Sequence, residues 1–159
     1  MNGPHMIRIG AYECWALTDG MLSYPGGVLL PVESAPPEEI LLPYTALLVN
    51  TGTRRVLIDA GAGPLGPNTG KLLESLAAAG FSPDLIDMVV LSHAHPDHIA
   101  GLPHFPNATV TMMRAEFSFW TAGETEAKLR AGGVYGLGPL EALMADYVRD
   151  YLAPATARQ

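Results

Sequence analysis

The chain holds one cysteine among its 159 residues, Cys14, so no disulfide can form within it. A domain of this length buries roughly two-thirds of its unfolded surface and needs no such staple. Bases are scarce too: nine Lys and Arg face sixteen Asp and Glu, a net charge of −7. No basic stripe can then offset phosphate charge, so neither nucleic acid nor an anionic membrane surface is an expected partner. No apolar run approaches the roughly 18 residues of a membrane span. The N-terminus lacks a basic start followed by an apolar core, so no signal peptide is read there. A reduced, cytoplasmic setting is the expectation. Charged residues make up 16% and apolar residues 48%, which argues against disorder or coiled coil and for one globular domain. Residues 1–6 (MNGPHM) read as a cloning or protease-site remnant. That leaves 7–159 as the domain and sets His5 aside.

Hydropathy patterning then supplies the elements. From Ile7 to Thr18 β-branched and aromatic residues predict one or two strands, closed by Asp19-Gly20. Residues 31–37 are a proline-rich loop without a chemical signal. Thr45–Val49 and Arg55–Asp59 flank Asn50-Thr51-Gly52-Thr53, which predicts a hairpin. A glycine- and proline-rich loop follows, and Lys71–Ala79 reads as a helix with Thr69 as its N-cap and Gly80 as its stop. Met88–Leu91 suits a buried strand and Thr109–Met112 another, with Arg114–Thr121 helical after it. Leu140, Leu143, Met144, Tyr147, Val148, Tyr151 and Leu152 recur at helical spacing and predict a helix facing the core. Strands first, then alternating helices and strands, make the fold class α/β or α+β.

Chemistry concentrates in one place. Four of the five histidines fall between positions 93 and 104, and three of them in His93-Ala94-His95-Pro96-Asp97-His98. They follow the apolar run MVVL directly, at the carboxyl end of a strand, where α/β folds place their sites. Spaced at i and i+2 in an extended loop, His93 and His95 can aim both imidazoles at one point, and the next turn brings Asp97 and His98 alongside. Neutral imidazole and carboxylate are the ligands of zinc and similar divalent metals. Two pairs on one short loop can hold two metals roughly 3.5–4 Å apart, a separation that suits hydrolysis. A lone histidine would read as a backbone cap; three with an aspartate after a buried strand do not.

His93-x-His95-x-Asp97-His98 resembles the signature of the metallo-β-lactamase-fold hydrolases. Val56-Leu57-Ile58-Asp59-Ala60-Gly61 is similar to that family's earlier strand-end aspartate motif. The stretch LIDMVVLSHAHPDHIAGL, then FPNATV and EFSFW, is similar to the lactonase and organophosphate-hydrolase branches. The resemblance covers Ile7 to Trp120. It implies an αββα sandwich, two divalent metals (zinc, or manganese, iron or cobalt) and hydrolysis of a small-molecule lactone, ester, thioester or phosphoester. His93 and His95 would bind the first metal, and Asp97 and His98 the second, with Asp97 also the catalytic carboxylate. Asp59 would stand beside the site or act as a strand-end turn residue, and His104 is a further candidate contact. Members of the family continue past this point and supply further ligands from a second, similar half. The chain therefore resembles the first sheet-and-helix half, to be completed by a second copy in a homodimer or by a complementing C-terminal half. The competing expectation is a metal-binding module without catalysis that self-associates. Gly61-x-Gly63-x-x-Gly66 follows a strand but is broken by Pro64 and Pro67, so a nucleotide role is not expected. Cys14, beside Trp15 in a strand, reads as a buried, inert thiol.

Overall fold

Long β-branched runs separated by tight turns at the start of the chain, and shorter runs separated by helices later, assemble one mixed sheet. The computed structural model describes residues 3–25 and 39–156. Among the described residues six strands lie in sequence order: β1 His5–Ile9, β2 Tyr12–Pro25, β3 Glu39–Asn50, β4 Arg55–Ile58, β5 Met88–Leu91 and β6 Thr109–Met112. The first four pair antiparallel, and β4, β5 and β6 pair parallel. The helices are α1 Leu72–Ala78, α2 Pro96–Ile99, α3 Arg114–Thr121, α4 Gly123–Arg130 and α5 Pro139–Tyr147. A π-helical turn, Val148–Leu152, runs on from α5 into α6, Ala153–Thr156. The α/β class and a single sheet clad by helices agree with the sandwich half that the sequence implied.

The hairpin turn, β5, β6 and α3 stand where the sequence places them, although β3 begins at Glu39, six residues before the expected Thr45, and Cys14 is buried in β2. Four expectations need correction or relocation. His5 and Met6, set aside above, pair with Ala16 and Trp15 as the start of β1. Asp19-Gly20 does not end a strand. The register shifts between Thr18 and Gly20, and β2 continues to Pro25 past this bulge, which turns Asp19 inward to 1% exposure. Thr69 does not cap α1; its hydroxyl donates to the Gly63 and Gly66 carbonyls. The Leu72 N–H at the helix start is bound instead by the Asp19 carboxylate at 2.7 Å. The proline-rich loop 31–37 lies outside the described residues.

The C-terminal stripe divides in the same way. Val148 and Leu152 are buried, but Leu140 and Leu143 are 48% and 41% exposed. In α5 the buried positions are Ala145 and Glu141, whose carboxylate accepts the Val134 and Leu137 N–H groups. A polar anchor thus sets the rotation of this helix, and two leucines that fit a core stripe face a cavity instead.

The two faces of the sheet differ. Leu17, Ala46, Leu48, Leu57, Val89 and Val110 share one face and are buried under Leu72, Leu76, Trp120 and Leu152. On the other face Ile7 is exposed, and Ala16, Leu47, Val49, Val56, Ile58 and Val90 are half-buried. None of these seven belongs to the core cluster or packs against it. A sheet face that meets water normally alternates to polar residues; this one is apolar throughout its centre.

Candidate functional site

The site forms where β4 and β5, parallel neighbours, both end. The Asp59 N–H donates to the Val90 carbonyl, and Ala60 N–H to the His98 carbonyl at 2.8 Å, so the two loops are joined through their backbones. Gly101 permits that closeness, since a Cβ there would lie 1.9 Å from the Ala60 carbonyl oxygen. Pro96 opens α2 directly after His95, with Asp97 in its first turn and His98 in its last. This kink folds the three imidazoles onto one another. The ring centroids of His93 lie 4.5 Å from His95 and 4.0 Å from His98.

Asp59 sits beneath them at 8% exposure. It is the one non-glycine with positive φ among the described residues, at 64°, a conformation aspartate tolerates better than most. Its carboxylate accepts the Ser92 N–H at 2.8 Å and the Ser92 hydroxyl at 2.9 Å. His98 Nδ1 lies 2.8 Å from Asp59 Oδ2, and His98 Nε2 lies 3.2 Å from Asp97 Oδ2. Asp59 thus contacts both His98 and the Ser92 turn at the end of the next strand.

The electrostatics follow from this packing. Burial alone would lower the His98 pKa, but hydrogen bonds to the Asp59 and Asp97 carboxylates push it up to about 9. Burial would likewise raise both aspartates, and their bonds to His98 outweigh it and hold them below the usual carboxylate range. His93 is pushed below the ordinary histidine value by burial and by its charged neighbour His98. His95 is lowered by burial and by His93. The loop thus presents two neutral imidazoles and one imidazolium held between carboxylates.

As a donor set this suits a divalent metal: unprotonated imidazole and ionised carboxylate, converging at one strand end. Among the described residues, however, no three His, Cys, Asp or Glu side chains aim donor atoms at a common centre. His98 spends both ring nitrogens on carboxylates, and His93 Nδ1 lies 3.0 Å from the Ser92 hydroxyl. The backbone brings the four ligand candidates together, and side-chain rotation, with loss of the His98 proton, is what a metal would still require of them. His104 stands apart, exposed at the end of a 3-10 turn, in a crevice it shares with Asp19.

Two features had no clear sequence signal. Glu116, on α3, accepts the Ala94 N–H at 3.3 Å and the Trp120 indole N–H, which anchors the loop between His93 and His95. The His95 ring meets Trp120 and Tyr135 edge-on, with centroids at 5.4 Å and 5.6 Å. The second feature is a cavity of about 370 Å³ beside His95 and Asp97. Its walls come from β2, β3, the loop at Leu65 and the exposed turn of α5.

Residues 40–115 match the metallo-beta-lactamase superfamily. The chain is 39% identical over 56 residues to N-acyl homoserine lactonase AttM of Rhizobium johnstonii, a match covering 32% of this chain and 21% of that enzyme. The structure of a hydrolase in the beta lactamase superfamily, AbOPH, superposes with a TM-score of 0.81 at 28% identity. That superposition covers 100% of this chain and 60% of that one. AidC, a dizinc quorum-quenching lactonase in complex with a product, follows at a TM-score of 0.68 and 28% identity, covering 92% of this chain and 59% of that one. This chain therefore spans about a fifth of the curated relative and about three-fifths of the two structures.

Proposed function

Because residues 40–115 carry a metallo-beta-lactamase superfamily sequence on the fold of that superfamily, we propose that this chain supplies the metal-binding half of a hydrolase. The observation that supports this reading best is the meeting of His93, His95, Asp97 and His98 at one strand end, where His95 and Asp97 line an apolar cavity. His93 and His95 would hold one divalent metal, and Asp97 and His98 a second, with zinc the expected ion. A bound metal would lower the pKa of water and polarise a carbonyl or phosphoryl oxygen. The protein's own groups do the rest. Glu116 and Trp120 fix the loop that carries His95, Asp59 orients His98, and the leucine-walled cavity keeps water from the substrate body.

In this proposal each metal takes two ligands from the chain, whereas catalytic zinc sites normally take three and keep an open position. The zinc-loaded chain alone should therefore turn over an N-acyl homoserine lactone, a thioester or a phosphotriester only in traces, well below about 1 per second. Chelation should remove those traces. Ordinary enzymatic rates from the isolated chain would mean either that a second copy donates ligands or that the count of two ligands per metal is wrong. In the first case His93→Ala and His98→Ala chains, each inactive alone, should complement one another when mixed.

The apolar outer face of the sheet favours a partner layer, either a complementing C-terminal half or a second copy. Light scattering should accordingly show association that grows with concentration. A monodisperse monomer at high concentration would contradict it. A metal-binding module without catalysis shares that association, and the absence of even chelator-sensitive traces would favour it.

A further inference from the structure

The cavity beside the motif loop is apolar except where two tyrosines enter it. Tyr24 on β2 and Tyr44 on β3 hydrogen-bond through their hydroxyls at 2.5 Å. Both rings line the cavity that His95 and Asp97 also line. Two hydroxyls carry two hydrogens, and the bond between them uses one. The hydroxyl that accepts keeps its own O–H, and among the described residues neither oxygen has another hydrogen-bond partner. Tyr44 is 7% exposed and Tyr24 half-buried, so this remaining donor sits away from bulk water. There a hydrogen bond to a ligand gains more than in water, and the bond that the donating hydroxyl itself accepts from its neighbour strengthens it.

The rest of the lining sets the ligand's character. Leu22, Leu42, Leu140 and Leu143 give it apolar walls, and among the described residues no Lys or Arg lines it. Among the described residues its ionisable groups besides the phenols are His95 and Asp97, so no fixed cation in its lining would offset the water an anion gives up on entering. We propose that the Tyr24–Tyr44 pair is the specificity-determining anchor of this cavity, selecting a neutral molecule with an apolar body and one carbonyl or phosphoryl acceptor. This deepens the hydrolase reading and rests on it only in taking that molecule to be substrate.

Binding to the metal-free chain tests the anchor without involving turnover. N-Methylhexanamide is the probe, a neutral carbonyl on an alkyl body. Hexanoate carries a similar body with a negative charge, and toluene has no strong acceptor. Titrations followed by calorimetry or nuclear magnetic resonance should show the amide binding saturably and hexanoate about ten-fold more weakly. The double variant Tyr24→Phe/Tyr44→Phe should weaken the amide about five-fold, one neutral hydrogen bond, and leave toluene unchanged. The single variants then identify the donor, because the one that removes it weakens the amide more than the other does. The proposal is overturned if the double variant binds the amide as the parent does, or if hexanoate binds as well as the amide. It is also overturned if amide and toluene are lost together in the single and double variants alike, since the pair would then only shape the cavity. A lack of zinc-dependent hydrolysis leaves these binding results untouched and counts against the hydrolase reading alone.

Discussion

Zinc should no longer bind tightly once His93 and His95 are both alanine. The two side chains share an extended segment between β5 and α2, with ring centroids 4.5 Å apart. Burial keeps both unprotonated near neutral pH, the form that ligates. Removing a group that merely orients a ligand typically costs about 10- to 100-fold in metal affinity. Removing two ligands should exceed the product of two such losses, so a drop of about 10³-fold or more is expected. Equilibrium dialysis or competition with a chromophoric chelator reads this directly. Binding at full stoichiometry and parent affinity in the double variant would refute the ligand assignment. His104→Ala is the control: that residue lies in another crevice, and its loss should leave affinity unchanged.

The largest effect on stability is expected at a residue with no part in binding. Asp19→Ala should destabilise the chain by about 3 kcal/mol, because two buried backbone donors lose their acceptor at roughly 1–3 kcal/mol each. Those donors are Ala62 N–H, 2.6 Å from Asp19 Oδ2, and Leu72 N–H, 2.7 Å from Oδ1. They bracket the whole glycine- and proline-rich loop, so one carboxylate ties its beginning to its end. Burial raises the Asp19 pKa, while the surrounding N–H groups draw it back. Gly61 closes over this carboxylate with φ of 81°, and a Cβ there would lie 2.9 Å from Asp19 Cγ. In a domain of this size the loss corresponds to a melting midpoint about 10 °C lower. Thermal unfolding checks it, with Asp150→Ala as an exposed control. Equal midpoints for the two variants would show that the loop does not depend on Asp19.

The same residue shows how legibility divides. As Asp19-Gly20 the sequence offers a turn signal, and that reading is sound for an isolated strand. What defeats it is a bulge in β2, fixed by pairing with β3, whose residues lie more than twenty positions away. Thr69 is a similar case. Its type and place suit an N-cap, yet the cap of α1 comes from a carboxylate 53 positions upstream. A local pattern ranks the candidates within a few residues of a helix start and carries no information about a distant competitor.

Particular features were nonetheless written in the chain itself. The apolar runs of β3 through β6, their turn residues and the helical α3 follow from periodicity and punctuation, because backbone geometry imposes those periods wherever the chain lies. The spacing of His93, His95, Asp97 and His98 put four ligand candidates on one short loop, and a loop of six residues leaves them nowhere else to be. Tertiary structure decided the rest. It placed Asp59 under His98 and Glu116 against Ala94, turned Leu140 and Leu143 toward a cavity, and joined Tyr24 to Tyr44. Each of these unites groups at least 20 positions apart in sequence or depends on which face a helix presents. Such contacts are selected by packing of the whole core and by the pairing of buried polar groups, and neither has a signature within any short window of sequence.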